Sequence, residues 1–568
     1  MVGRILRLMF SGAFLLSISW NMVAQNTVGT TFIAESAESG YCLFSPNGSQ
    51  TTHLIDRCGQ VIQSWQSEGR PGLSAYLLDN GDLLRTRKHL TGQFVGGGIG
   101  GMIERFSWEG NLIWSDTLAS DSLHFHHDIA PMPNGHILAI AWEKHTGAEA
   151  ISRGRLPELT PEEVWVTRIF ELAPWDEGGS EVVWSWTPWD HLIQNSDPSL
   201  PHFGEPADFP GRFDVNFAAV AEVSGPGLGQ DAAFDWLHVN SIDYHPERDE
   251  IILSSRNWDE IWVIDHSTTK NEAGGSSGGQ YGQGGDLIWR WGNPATYGRG
   301  AVTDQVFFGQ HDARFTDLVE GLGVTVFNNG AGRPEGPFST VHHIPFPLDN
   351  DGKFVPFPTS LPCAPPAPSW TYPSAPDWAF FSNNVSGYEF LESGHRLICQ
   401  GADGRFFELD ENEEIVWEYI NPETSNGVLT QGDNPSQNSV FRATHIPLSH
   451  PALANQNLDP GPPLELNPNL EACEVNDVLE PNNQSGKSWQ VYPNPTSDGF
   501  AIEWTGTSSS RWRLELFDAF GTFVHSETFS DQTRIASDIW SPGLYVGILQ
   551  PIESVSSDHS STFRLIVQ

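Results

Sequence analysis

Positive charge is scarce in this sequence. Its 568 residues carry 29 lysines and arginines against 71 aspartates and glutamates, a formal net charge of -42. Such a surface repels a phosphate backbone, so no nucleic acid is expected as a partner. Long amphipathic helical patterns are also lacking. Beyond the N-terminal stretch no run is apolar and long enough to span a bilayer, so no transmembrane helix is expected. Cysteine is sparse, with five residues in all, and the spacing of Cys42, Cys58, Cys363, Cys399 and Cys473 makes no zinc motif. No phosphate-cradling glycine loop is recognisable either. Neither a metal site nor a cofactor is expected.

Aromatic and turn-forming residues are plentiful: 22 Trp, 33 Phe, 56 Gly and 40 Pro. That mixture suits short β-strands joined by turns. Residues 1–24 read as a secretory signal, with Arg4 and Arg7 ahead of an apolar stretch from Leu8 to Trp20, and Met22-Val23-Ala24 before the cleavage point. In an exported chain Cys42 and Cys58, which flank two strand-like runs, are a candidate disulfide staple. The odd count leaves at least one thiol unpaired, and Cys399, within Leu397-Ile398-Cys399, reads as a buried one.

One plan recurs along residues 25–448. A turn leads into an alternating strand, then a strand such as Ile261-Trp262-Val263-Ile264-Asp265, then a last strand ending in tryptophan, as in Trp184-Ser185-Trp186 and Ile288-Trp289-Arg290-Trp291. Period-two alternation and this turn chemistry make antiparallel meanders, and a unit that cannot bury both faces alone must stack beside its copies. The expected fold is therefore all-β: a β-propeller of about six blades. Phe441-Arg442-Ala443-Thr444-His445-Ile446 is expected to close the ring beside the N-terminal strands. The repeated tryptophans are expected to pack between blades. Insertions at 143–165, 187–235 and 350–380 interrupt the repeat, and the Gly/Ser-rich 271–285 reads as flexible. Residues 449–488 read as a linker, and 489–568 as a small separate β-sandwich.

Histidines open several units: His126-His127-Asp128-Ile129, Trp236-Leu237-His238-Val239-Asn240 and Gly309-Gln310-His311-Asp312. A histidine at a strand opening is often a structural residue bonded to backbone. That reading is expected for His126, His191, His342, His343, His395 and His445. For His238 and His311 the repeated opening points to function, and for His127 both readings stand. Arg256, Arg405 and Asn240 are candidate substrate-binding residues, although Arg256 and Arg405 are equally suited to bracing loops.

These openings, with Ile251-Ile252-Leu253-Ser254-Ser255-Arg256, Phe327-Asn328-Asn329-Gly330 and Trp189-Asp190-His191-Leu192, resemble the arylsulfate sulfotransferase family. The resemblance implies transfer of a sulfuryl group from an aryl sulfate to a phenol without a nucleotide sulfate donor. It implies that a histidine is transiently sulfated while other histidines and an arginine hold the sulfate oxygens. By motif it points to His238 and His311 as sulfate ligands and to Arg333 as the arginine. The nucleophile stays unassigned, with His127 a candidate. Two alternatives remain: a secreted propeller that binds sulfated glycans or a protein without catalysis, and a sulfate-ester hydrolase. Val491-Tyr492-Pro493-Asn494-Pro495, Leu516-Phe517-Asp518-Ala519-Phe520-Gly521 and Gly543-Leu544-Tyr545 resemble the C-terminal sorting domain of the type IX secretion system. That resemblance implies passage through the periplasm, the type IX machinery as a partner, and a secreted or cell-surface location.

Overall fold

The computed structural model describes residues 26–91, 94, 96–217, 234–470 and 473, together with seven strand segments between 489 and 567. The expected signal at 1–24 lies outside the described residues. So do 218–233 of the second insertion and 471, 472 and 474–488 of the expected linker.

Five four-stranded antiparallel sheets and one of five strands form the main body. The first strands of the sheets are Val440–Ile446 (blade 1), Pro71–Leu77 (blade 2), Leu123–Pro131 (blade 3), Val239–His245 (blade 4), His311–Leu318 (blade 5) and Gly387–Phe390 (blade 6). Each touches the first strand of the next blade, and the ring closes from blade 6 through blade 1 to blade 2. The chain is a six-bladed propeller with these strands around its axis. The second and third strands are buried on both faces: every residue of Glu250–Ser255 and of Glu260–Asp265 is buried. They read as near-continuous apolar runs because a blade covers each side. The last strands differ: Leu112–Thr117 faces solvent and buries only Trp114, whereas Trp289–Trp291 is wholly buried. Trp65, Trp186 and Trp417 are fully buried between blades, as their recurrence predicts.

The ends of the ring are stitched twice. Val440–Ile446 pairs with Tyr41–Pro46, which completes blade 1 from both ends of the propeller sequence. Gly29–Ile33 pairs with Ile415–Ile420 and gives blade 6 a fifth strand. Beyond Ile446 the chain does not leave as a tether. Gly461 N–H donates to the Val61 carbonyl at 2.8 Å, and Gln431 N–H to that of Leu466 at 3.0 Å. The segment therefore covers the start of the outer strand of blade 1, which would otherwise expose unpaired backbone.

Cys58 ends this strap by bonding to Cys473, with Cα atoms 5.8 Å apart. The expected Cys42–Cys58 pair does not form. Cys42 points into the core between blades 1 and 6 beside Phe44 and Cys399, whereas Cys58 lies on the outer turn after Ile55. Burial pushes the Cys42 thiol up to about 12. Two other expectations change. Both ends of 143–165 are strand, because Ile137–Thr146 and Glu163–Pro174 run long and enclose a short helix, Gly147–Ser152. The Gly/Ser-rich 271–285 is folded, with Gly284 N–H bonded to the Gly278 carbonyl at 3.0 Å and Gly285 N–H to that of Gly275 at 2.9 Å. Positive φ at Gly278, Gly282 and Gly284 permits those tight turns.

The C-terminal module has two antiparallel sheets. Trp489–Tyr492, Gly499–Trp504 and Gln532–Ala536 form one; Trp512–Asp518, Phe523–Phe529, Gly543–Pro551 and Ser561–Val567 form the other. Among the described residues no helix is long and apolar enough to cross a membrane.

Removing the disulfide by Cys58→Ser with Cys473→Ser frees the strap in the unfolded chain and is expected to lower stability by about 2–5 kcal/mol. Denaturant unfolding with and without reductant checks this. The wild type under reductant should fall to the variant's value, and the variant should not respond.

Candidate active site

Three first strands carry an irregularity beside a histidine. Register shifts fall between Val239 and Ser241, between His311 and Arg314, and opposite Ala139–Ala141 in the strand holding His127. A bulge turns a side chain out of the ordinary alternation. Here the backbone enters the left-handed region at His127 (φ 54°), His238 (φ 47°) and Asp312 (φ 59°). Such values are costly for residues other than glycine and persist only where surrounding contacts enforce them. The result brings His127, His238 and His311 from blades 3, 4 and 5 to one end of the channel. They are 3 %, 8 % and 3 % exposed, so the centre is largely enclosed.

The ring of His127 meets that of His238 edge to face, with centroids 4.6 Å apart. His238 Nδ1 lies 2.7 Å from Asp235 Oδ2. That carboxylate also accepts from Trp142 Nε1 at 3.0 Å, while Asp235 Oδ1 accepts from the His238 backbone N–H at 3.0 Å. Burial pushes the Asp235 carboxyl up, but His238 outweighs it and holds the group below its usual range. Asp235 thus fixes the Nδ1–H tautomer of His238, leaves Nε2 open, and can balance an imidazolium.

His311 has a different setting. Its Nδ1 faces two acceptors, the Gly309 carbonyl at 3.0 Å and Asn329 Oδ1 at 2.6 Å. Nδ1 must therefore carry the proton, and Nε2 the lone pair. Burial, then the charge of Arg256, depress the group to about 3. His127 is held well below its ordinary value by burial, with His238, His126, His311 and Arg256 adding to the effect. Its Nδ1 is 2.8 Å from His126 Nδ1, and His126 stacks on Trp142 with centroids 4.2 Å apart. Gly98 lies directly over the His127 ring: a Cβ there would sit 1.9 Å from Cε1. The glycine-rich turn 96–101 thus closes over His127 where no other residue fits.

Arg256 adjoins all three histidines. Its backbone N–H donates to the His238 carbonyl at 3.1 Å, and its charge reaches His127 and His311. Its own guanidinium is depressed by burial, against the pull of Asp259 and Asp235. Asn240 Nδ2 donates to the Gln310 carbonyl at 2.7 Å and so holds the residue before His311. Arg333 has contacts of its own. Its Nη2 donates to Thr340 Oγ1 at 2.7 Å, and the guanidinium lies over Phe338 and Phe308, 4.5 Å and 5.4 Å from the ring centres. Arg405 is tied to Glu418 Oε1 at 2.7 Å and stands over Phe407 in blade 6. His395 occupies the turn after the first strand of blade 6, at the opposite end of the channel, bonded to Glu408 Oε1 at 2.8 Å. His191, His342 and His343 are engaged with Asp286, Thr371 and Tyr388.

Sequence reasoning passed over Asp235, Trp142 and Gly98. Asp235 stands three residues before His238, a spacing that could have suggested an Asp-His pair. Trp142 and Gly98 carry no local signal. Among the described residues no group of three or more His, Cys, Asp or Glu is arranged to hold a metal ion.

Comparison with known proteins bears on the chemistry. A family model described as arylsulfotransferase (ASST) matches residues 33–445. A second, described as a secretion system C-terminal sorting domain, matches 490–567. No curated protein matches the chain. Similar solved structures include a protein of unknown function from Bacteroides caccae, with 9 % identity, 72 % of this chain and 99 % of that one covered, and a TM-score of 0.37. A periplasmic gluconolactonase from Pseudomonas aeruginosa gives 11 %, 72 %, 99 % and 0.34. A virginiamycin B lyase from Staphylococcus aureus gives 11 %, 70 %, 89 % and 0.30. Likenesses this distant carry no argument about function.

The depressed histidines predict acid lability. His126, His127, His311, His342 and His445 titrate well below 6.5 when folded, four of them near 3. Between those values and about 6.5 the unfolded chain binds more protons than the native one, so stability rises with pH there. The histidine contribution is complete above the unfolded value and is lost on acidification. Urea midpoints measured at decreasing pH from neutrality should fall, and His342→Gln, away from the centre, should flatten the slope.

Proposed function

The chain belongs to the arylsulfotransferase family, and on that premise we propose that it moves a sulfuryl group from an aryl sulfate to a phenol through His311. The family membership carries a sulfotransferase-like activity, and the sorting domain carries type IX secretion to the outside or to the cell surface. Export would begin with the N-terminal segment and passage through the periplasm. The single observation that supports His311 is its proton placement: Nδ1–H is bound to two oxygens, and burial beside Arg256 keeps Nε2 unprotonated. A nucleophile needs that free pair. His238, paired with Asp235, is the histidine suited to carrying charge.

The steps balance. His311 Nε2 attacks sulfur, the sulfur–aryl oxygen bond breaks, and the departing phenolate takes a proton from His238 Nε2. The sulfated imidazole is then attacked by the acceptor phenol, whose proton returns to His238, and the sulfur–nitrogen bond breaks with its electron pair restored to His311. Low basicity makes His311 a good leaving group in this second step. Arg256 and His127 hold the peripheral sulfuryl oxygens, on which charge is spread as it is in phosphoryl transfer. On this reading Arg256 takes the part that sequence resemblance assigns to Arg333, while Arg405 and Asn240 act as braces.

The test is a chromogenic aryl sulfate with and without a phenol, plus peptide mapping after a short pulse of donor. Phenol-dependent release and one SO3 group on His311 are expected, and both should vanish in His311→Ala. Release that ignores phenol would make the protein a hydrolase. Saturable binding without turnover would make it a binding propeller. Asp235→Asn should lower kcat by about 10²–10⁴-fold and shift the acidic or basic limb of the pH profile, since it removes the carboxylate that orients His238.

A further inference from the structure

Immediately below the histidines lies a buried ion network. His127 is followed by Asp128 and His311 by Asp312, and both aspartates turn toward the same arginine. Arg442 Nη2 donates to Asp128 Oδ2 at 2.8 Å, and its Nε faces Asp312 Oδ1 at 2.7 Å. Tyr76 Oη donates to Asp128 Oδ1 at 2.8 Å and accepts from Arg442 Nη1 at 2.9 Å and from Arg314 Nη2 at 3.2 Å. Arg314 Nε completes the circuit to Asp312 Oδ1 at 2.7 Å. Asp312 Oδ2 also accepts from the Tyr388 backbone N–H at 3.1 Å. The network thus takes members from the first strands of blades 1, 2, 3, 5 and 6.

We propose that Arg442 is a positioning residue for sulfuryl transfer: its guanidinium sets His127 and His311 through the aspartate that follows each. The inference rests on the reading of the histidine centre given above. Asp128 and Asp312 are one bond beyond the catalytic backbone, and φ at His127 and at Asp312 is left-handed. An ion that draws the two carboxylates together helps to enforce those torsions. The fork of a guanidinium reaches both carboxylates at once, which an ammonium cannot do. Arg442 also arrives on the strand that closes the ring, so this end of the channel is assembled only when Val440–Ile446 has paired with Tyr41–Pro46. Beneath the network a cavity of about 550 Å³ is lined by Arg442, Arg314, Asp312, Asp243 and Glu389. It lies at the far end of the first strands from the histidines. A small cation can therefore reach the position of Arg442 without crossing the substrate site.

The experiment compares wild type, Arg442→Ala and Asp312→Asn as full-length secreted protein, with kcat, KM, thermal unfolding and pulse sulfation of His311. Arg442→Ala should lower kcat by about 10²-fold with KM changed less than about threefold. Millimolar guanidinium should restore part of kcat in Arg442→Ala, whereas methylammonium should not. Asp312→Asn should be impaired in the same way, and the double variant should be no worse than the more impaired single one. Wild-type kcat in a folded Arg442→Ala, or equal rescue by both cations, overturns the proposal. If Arg442→Ala does not fold, Asp312→Asn decides: a folded Asp312→Asn with wild-type kcat overturns it, and a slowed one supports it. Absence of any transfer by the wild type would instead sink the reading of the centre.

Discussion

The interaction on which the rest depends is the contact of one arginine with two aspartates at the axis of the ring. Arg442, Asp128 and Asp312 are all buried. Isolated charges in such a place are prohibitively costly, and even pairs are stabilising only when the remaining hydrogen-bonding positions are filled. Here Tyr76, Arg314 and the Tyr388 backbone amide fill several of them. No local segment provides this set. It exists only when the blades have closed, so the polar core specifies the ring while the apolar faces between blades stabilise it.

Above that floor, three imidazoles are given unlike surroundings. His311 and His127 are neutral because burial opposes charge and Arg256 stands close. His238 has a carboxylate at 2.7 Å. In the mechanism we propose, the contrast between a free lone pair and a carboxylate-paired ring in one enclosed space divides nucleophile from acid. A surface of net charge -42 surrounds this centre. In the transfer we propose, the attraction for an anionic donor comes from Arg256 and the local donors, since the field of the whole chain opposes approach.

Much of the architecture was legible in the sequence. Alternation, Asn-Gly turns and a terminal tryptophan recur because each blade solves the same packing problem, so the ring and its closing strand at Phe441–Ile446 could be read. The openings at His238 and His311 were legible for the same reason, whereas His127 sits within its strand, at a bulge. Other features were hidden, because they are contacts between residues far apart in the chain. Arg333 follows an Asn-Asn-Gly motif that drew attention to it, yet its guanidinium lies over Phe338. Arg256 ends an ordinary strand and adjoins the histidines because blade 4 turns there. Cys58 finds Cys473 across 415 residues. The stretch after Pro451 looks like a linker by composition, but Ala452 and Leu453 are buried against blades 1 and 2.

By itself, then, the sequence determined the repeating unit, the number of its copies to within one, and the openings at His238 and His311, since side-chain alternation and turn chemistry act within a few residues. Only the tertiary structure decided which arginine adjoins them, which carboxylate pairs with His238, and how Arg442 joins Asp128 to Asp312. Those choices depend on the closure of the ring, which brings the ends of distant strands within hydrogen-bonding distance.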